Sequence, residues 1–150
     1  MQLADVLHDK MVFLDFKAGG KDEAIDAFVK AIVSSGAVEE PAALKSALLE
    51  REKLGTTGVG GGIAIPHARC GAIKDLSVAF FRSPEGINFG AIDGKPVNLI
   101  FLLLAPIASG GPYLKLLAKI SRLLRGDEFR QALMDADGPA AVLEIIRDNE

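Results

Sequence analysis

The stretch Arg51-Glu52-Lys53-Leu54-Gly55-Thr56-Thr57-Gly58-Val59-Gly60-Gly61-Gly62-Ile63-Ala64-Ile65-Pro66-His67 joins a helix end to a glycine-rich loop, a short apolar strand and a Pro-His pair. Glycine permits positive φ and lets backbone N–H groups approach a ligand closely. Histidine is the side chain that serves as a nucleophile near neutral pH with little tuning. The expectation is a phosphate cradle of Thr56, Thr57, Gly58, Gly60, Gly61 and Gly62 with His67 in it. Pro66 holds Ile65 extended and removes a ladder donor, so the strand Ile63–Ile65 is expected to end there. His67 then stands at a strand terminus beside the loop, a common place for site residues. A lone histidine is more often an ordinary core or surface residue; His8, which has no such surroundings, is read that way.

The elements on either side follow from periodicity and breakers. Upstream, Val12–Phe16 reads as a strand broken by Gly19-Gly20. Ile25, Phe28, Val29 and Ile32 recur at helical spacing and predict a helix from about Lys21 to Ser35, with Gly36 just past its end. Pro41 opens a second helix, with Glu39 and Glu40 placed to favour its dipole, that runs to about Leu54 and stops at Gly55. Downstream, Val78–Phe81 reads as a strand. Asp93-Gly94 marks a turn between Ile87-Asn88-Phe89 and the run Val97 to Leu104. That run is apolar on both faces and predicts a central strand. Pro112 opens a third long helix, with Tyr113, Leu116, Leu117, Ile120, Leu123 and Leu124 on one face and Lys115, Lys119 and Arg122 on the other. Gly126-Asp127 starts a short helix, and Gly138-Pro139 a last one to about Arg147. Strands and helices mix without strict alternation. The predicted fold is α/β: one domain, residues 1–150, with a mixed parallel and antiparallel sheet flanked by helices.

Arg51 is informative through its phase. It lies seven positions after Leu44 and three after Leu48, on the buried stripe of its helix. An arginine there needs an anion or good hydrogen bonds. Two readings stay open: a residue that satisfies helix-end carbonyls, or an anion clamp beside His67. Thr56 and Thr57 are either turn residues or donors to phosphate oxygens. Gly58-Val59-Gly60 begins like a dinucleotide fingerprint, but Ile63 occupies the third glycine position and no helix follows. The Gly-Lys-Ser/Thr of a P-loop is absent. His67 and Cys70 are too few for a metal site, and Cys70 is read as a packing residue.

Composition narrows the class. The 150-residue chain is 49% hydrophobic and 25% charged, with a net charge of −3. That is ordinary for a globular protein, and no basic stripe marks it for nucleic acid. The single cysteine excludes an internal disulfide and suits a reducing cytosol. Met1-Gln2-Leu3-Ala4-Asp5 lacks the features of a signal peptide, and the run Leu99 to Ile107 is too short to span a bilayer. A cytoplasmic protein without membrane insertion is expected.

Taken with these residues, the chain resembles the IIA component of the bacterial phosphotransferase system, of the fructose/mannitol type, and within it the nitrogen-regulatory branch. Arg51 to His67 resembles the phosphorylation-site signature almost throughout. Glu85-Gly86-Ile87-Asn88-Phe89, Ile92-Asp93-Gly94-Lys95-Pro96-Val97 and Leu99 to Pro106 resemble a second block, and Gln2 to Leu7 the opening. The resemblance implies that His67 accepts a phosphoryl group, on Nε2, from the phosphohistidine of HPr or a nitrogen-branch relative, and that Arg51 contacts that group. It implies no metal or other cofactor, because the donor is already a high-energy phosphoramidate. Sugar-type members pass the group to a IIB domain, whereas nitrogen-type members regulate other proteins according to phosphorylation state. Many members carry a second active-site histidine where this chain has Tyr113. Tyrosine can donate one hydrogen bond but cannot become cationic near pH 7. Ile107 to Gly111 also match the family poorly. The reading drawn from these residues is a stand-alone, regulatory phosphohistidine carrier. The alternatives are a sugar-specific IIA feeding a separate IIB and permease, and an unphosphorylated docking module using the surface around Gly58 to His67.

Overall fold

The longest apolar run becomes the spine of the sheet. The computed structural model describes residues 1–150. Strand β6, Val97–Ala105, is buried at every position except Asn98. Such a strand needs partners on both edges and cover on both faces. On one edge lies β5, Ser77–Ile87, antiparallel to it. On the other edge lie two short parallel strands in succession, β3, Ile63–Ala64, and β4, His67–Arg69. The sheet closes outward with β1, Val12–Phe13, parallel to β5, and β2, Gly58–Gly60, antiparallel to β3. The result is the mixed sheet predicted, in the order β1-β5-β6-β3-β2, with β4 beside β6.

Adjacent strand residues face opposite ways, and β5 shows what covers each side. Phe81 packs on Phe28 of α2, Lys21–Ser34, with ring centroids 4.7 Å apart, and Phe13 and Phe16 join this cluster. Phe80 points the other way and meets Phe101 at 4.9 Å. Helix α2 packs against α3, Pro41–Lys53. The short α1, Leu3–Val6, with α4, Gly110–Leu123, α5, Asp127–Asp135, and α6, Pro139–Asn149, forms a second group. One continuous core of 42 buried residues fills the space between these layers. Burying a Phe or Leu side chain contributes about 1.5–3 kcal/mol, so the sheet's neighbours are set mainly by this core.

Several boundaries differ from those predicted. Gly58-Val59-Gly60 is strand β2 and not loop; β3 supplies its partner, and Ile92 donates a backbone bond to Gly58 on the outer side. Gly58 lies where an added Cβ would fall 2.8 Å from the Ala91 backbone, a close approach only glycine allows. The first strand stops at Phe13, although Phe16 N–H still reaches the Arg82 carbonyl. Ile87 is the end of β5, with a register shift after Arg82, and does not open a separate strand. Helix α4 begins two residues before Pro112, which sits in its first turn where its missing N–H is not needed. Pro66 does interrupt the edge: its carbonyl accepts from Leu103 N–H, and pairing resumes with His67 opposite Leu103.

Candidate functional site

Three elements meet at His67. The residue opens β4, which places its half-buried ring between α3 and α4. From α3, Leu44 and Leu48 turn into the core, and the same stripe brings Arg51 to the ring. Arg51 Nε donates to His67 Nε2 at 2.9 Å, and its Nη1 donates to the Gly55 carbonyl, also at 2.9 Å. Arg51 thus bonds a carbonyl just past the helix end and, at the same time, stands against the histidine, where an anion clamp would have to be. From α4, the buried Tyr113 ring lies 6.0 Å from the imidazole, and Arg69, two residues after His67 on the same face of β4, stacks its guanidinium 5.0 Å from the Tyr113 ring centre.

These contacts fix the protonation state of His67. A guanidinium has no acceptor, so Nε2 must offer its lone pair to Arg51. The ring proton is then on Nδ1, which lies 2.8 Å from the Ile65 carbonyl and donates to it. The imidazole is neutral, with Nε2 as its unprotonated, nucleophilic atom. Burial holds its pKa below the ordinary value; the bond to Ile65 opposes this, the Arg51 cation adds to it, Glu52 opposes it, and Arg69 adds again. Burial likewise pushes the Tyr113 phenol up, against the pull of Arg69 and Arg51, so it stays neutral.

The two threonines are bonded to other partners than His67. Thr57, 3% exposed, donates its hydroxyl to Glu52 Oε2 at 2.5 Å and its N–H to Oε1 at 3.2 Å. Its hydroxyl proton is committed there, so Thr57 is not the phosphate donor expected. Thr56 Oγ1 accepts from Gly58 N–H and from Lys21 Nζ, which leaves its own proton uncommitted.

The glycine triplet is not brought to His67. Ile63 pairs with Leu99 and His67 with Leu103 on the same strand. Four residues of strand separate them by roughly 13 Å. Gly60, Gly61 and Gly62 form the tip of the β2–β3 hairpin, with φ of 95°, 67° and 81°. Gly61 N–H is taken by Asp93 Oδ2. Gly61 and Gly62 line a cavity of about 360 Å³ with Asn98, Asp127 and Arg130, on the α5 side. Their glycine character serves the hairpin and not a cradle around the histidine.

Three residues of this neighbourhood escaped the sequence reading. Arg69 follows from strand alternation, because i and i+2 share a face. Glu52 sits beside Arg51 in the quoted stretch. Lys21 pairs with it from 31 positions away, and nothing local announces that contact. Away from the site, His8 carries no comparable contact, and no group of three or more His, Cys, Asp or Glu side chains converges anywhere in the structure.

The fold is that of IIA-type phosphotransferase components. Nitrogen regulatory protein IIA-Ntr from Neisseria meningitidis superposes with a TM-score of 0.88 at 34% identity, over 95% of this chain and 97% of that one. A fructose-specific EIIA component from Haloferax volcanii is 39% identical over 93% of this chain and 90% of its own length. A nitrogen regulatory protein from Bradyrhizobium diazoefficiens is 36% identical over 97% and 95%. Residues 5–149 match the phosphoenolpyruvate-dependent sugar phosphotransferase system EIIA 2 family, and the chain belongs to it. Components of this kind carry phosphoryl groups within the phosphotransferase system. No helix is long and apolar enough to cross a membrane.

Proposed function

We propose that this chain accepts a phosphoryl group on Nε2 of His67 from the phosphohistidine of an HPr-type carrier, and that it acts as a regulatory, nitrogen-type IIA protein. The observation that carries this reading is the ring's hydrogen bonding: Nδ1 is held by Ile65, and the unprotonated Nε2 faces a guanidinium. The donor's P–N bond breaks as the Nε2–P bond forms, and the donor imidazole leaves with the electron pair. As Nε2 bonds phosphorus the ring gains positive charge, which the Ile65 carbonyl offsets through Nδ1–H. Arg51 must release Nε2 first. It then lies within reach of the equatorial oxygens, where its fixed charge stabilises the transferring group.

Tyr113 favours the regulatory output. It occupies the second-histidine position of the resemblance, 6.0 Å from the acceptor ring. A neutral phenol hydrogen-bonds a phosphoryl group without supplying the charge or labile proton of an imidazolium. Phosphate is thus held more readily than passed on. The likeness to a fructose-specific EIIA keeps the sugar-transfer reading in view. Labelled phosphoenolpyruvate, Enzyme I and HPr-type carriers separate these readings. The account predicts label on the wild type and none on His67→Ala. No label on the wild type contradicts carrier function and leaves the docking-module reading. Rapid onward movement to a IIB protein and sugar overturns the regulatory assignment.

A further inference from the structure

Close to His67 lies a partly buried ion pair that the transfer chemistry itself does not use. The Glu52 side chain is 6% exposed, and Lys21 Nζ lies 2.8 Å from its Oε1. A carboxylate taken out of water is tolerated when it is paired and hydrogen-bonded. Glu52 meets both conditions through Lys21, Thr57 N–H and the Thr57 hydroxyl. Lys21 is held in turn by Thr56 Oγ1 at 3.3 Å and by the face of Phe89, 4.9 Å from its ring centre.

The bonds continue to the acceptor. The Thr57 carbonyl receives Ile65 N–H at 3.0 Å, and the Ile65 carbonyl receives His67 Nδ1–H at 2.8 Å. The Ile65 backbone is therefore anchored on one side by Thr57 and holds the imidazole on the other. We infer that Glu52, with Lys21 as its counter-ion, is a positioning residue for phosphoryl transfer: it clamps Thr57, and through the Thr57–Ile65 bond it sets the tautomer and aim of His67. This inference rests on the proposed role of His67 as acceptor. Glu52 does not touch the transferring group, and at 6% exposure it does not present itself to an incoming carrier. Its carboxylate also favours the imidazolium that the charges of Arg51 and Arg69 oppose.

The test combines imidazole nitrogen NMR with transfer kinetics on the full chain. Glu52→Gln keeps the shape and removes the charge. The expected result is a smaller share of the Nδ1–H tautomer, a lower His67 pKa, and kcat for phosphoryl acceptance reduced about tenfold with the carrier KM unchanged. Should the unpaired Lys21 unfold that variant, Lys21→Met/Glu52→Gln removes both charges, and Thr57→Val removes the hydroxyl clamp alone. Both are expected to lower the Nδ1–H share and slow acceptance, Thr57→Val by less. Folded variants with the wild-type tautomer and the wild-type kcat overturn the inference. Failure of the wild type to take label from any HPr-type carrier overturns the acceptor role instead, and the tautomer comparison on unphosphorylated protein still decides the positioning role.

Discussion

Removing the Arg51 guanidinium pits two effects against each other. In the resting protein Arg51 Nε covers the nucleophilic atom at 2.9 Å. Breaking that bond before attack costs about 1 kcal/mol, because the acceptor is a neutral imidazole and water can replace it in a partly exposed site. In the transition state the same guanidinium faces a doubly charged phosphoryl group, where a charge-assisted bond is worth about 1.5–3 kcal/mol. Arg51→Met keeps much of the aliphatic stem. It removes the resting cap, which speeds attack, and the transition-state contact, which slows it. The difference is a net loss of about 0.5–2 kcal/mol, or acceptance slowed about two- to thirtyfold. The lost bond from Nη1 to Gly55 lowers stability by about 1 kcal/mol. The assay is single-turnover transfer from a phosphorylated HPr-type carrier, with thermal unfolding in parallel. Acceptance at or above the wild-type rate would refute the reasoning, because it would make Arg51 only a cap on its helix and its histidine.

Further expectations concern the rest of the site. Gly61→Ala is expected to destabilise the protein by about 1–2 kcal/mol, since its φ of 67° is costly for any residue with a Cβ. Acceptance kinetics in that variant should stay normal, because the hairpin tip is remote from His67; a selective loss of transfer with stability intact would restore the glycine-cradle idea. Tyr113→Phe and Tyr113→His should both still load phosphate, with a changed phosphohistidine lifetime or back-transfer rate in at least one. Loading, lifetime and transfer all unchanged would make Tyr113 a core residue only. His67 has a folded pKa below its unfolded value of about 6.5, so above that pH both states are neutral and nothing is contributed. As pH falls below it, the unfolded chain takes the proton first, and stability drops until the folded pKa is passed. Unfolding temperatures of wild type and His67→Gln, compared across that window, should show the extra acid loss only in the wild type.

The parts of this structure that a local pattern determines were legible in the sequence. Val97 to Leu104 is apolar at nearly every position, and only a strand covered on both faces satisfies it. Ile25, Phe28, Val29 and Ile32 fix α2 in the same way, and the phase of Leu44 and Leu48 was enough to aim Arg51 inward. Glycine composition was misleading, because a tight hairpin and a ligand cradle use the same residue for the same conformational reason. Only the register of β3 and β4 on β6 tells them apart, and register is a tertiary fact. Helix α1 is four residues long, too short for any period to show. The Lys21–Glu52 pair depends on α2 docking beside the end of α3, which neither segment encodes alone. His67, Arg51 and Tyr113 lie together, whereas Thr57 is bonded to Glu52 and Gly60 to Gly62 form a hairpin tip.

The central claim is that phosphate resides on Nε2 of His67 while Nδ1 keeps its proton bonded to Ile65. Nitrogen-15 and phosphorus-31 NMR of protein phosphorylated through an HPr-type carrier reads the P–N coupling at the individual ring nitrogens. The account predicts a single phosphohistidine, coupled at Nε2 of His67, with Nδ1 still protonated. Coupling at Nδ1, or phosphate on any residue other than His67, would contradict it.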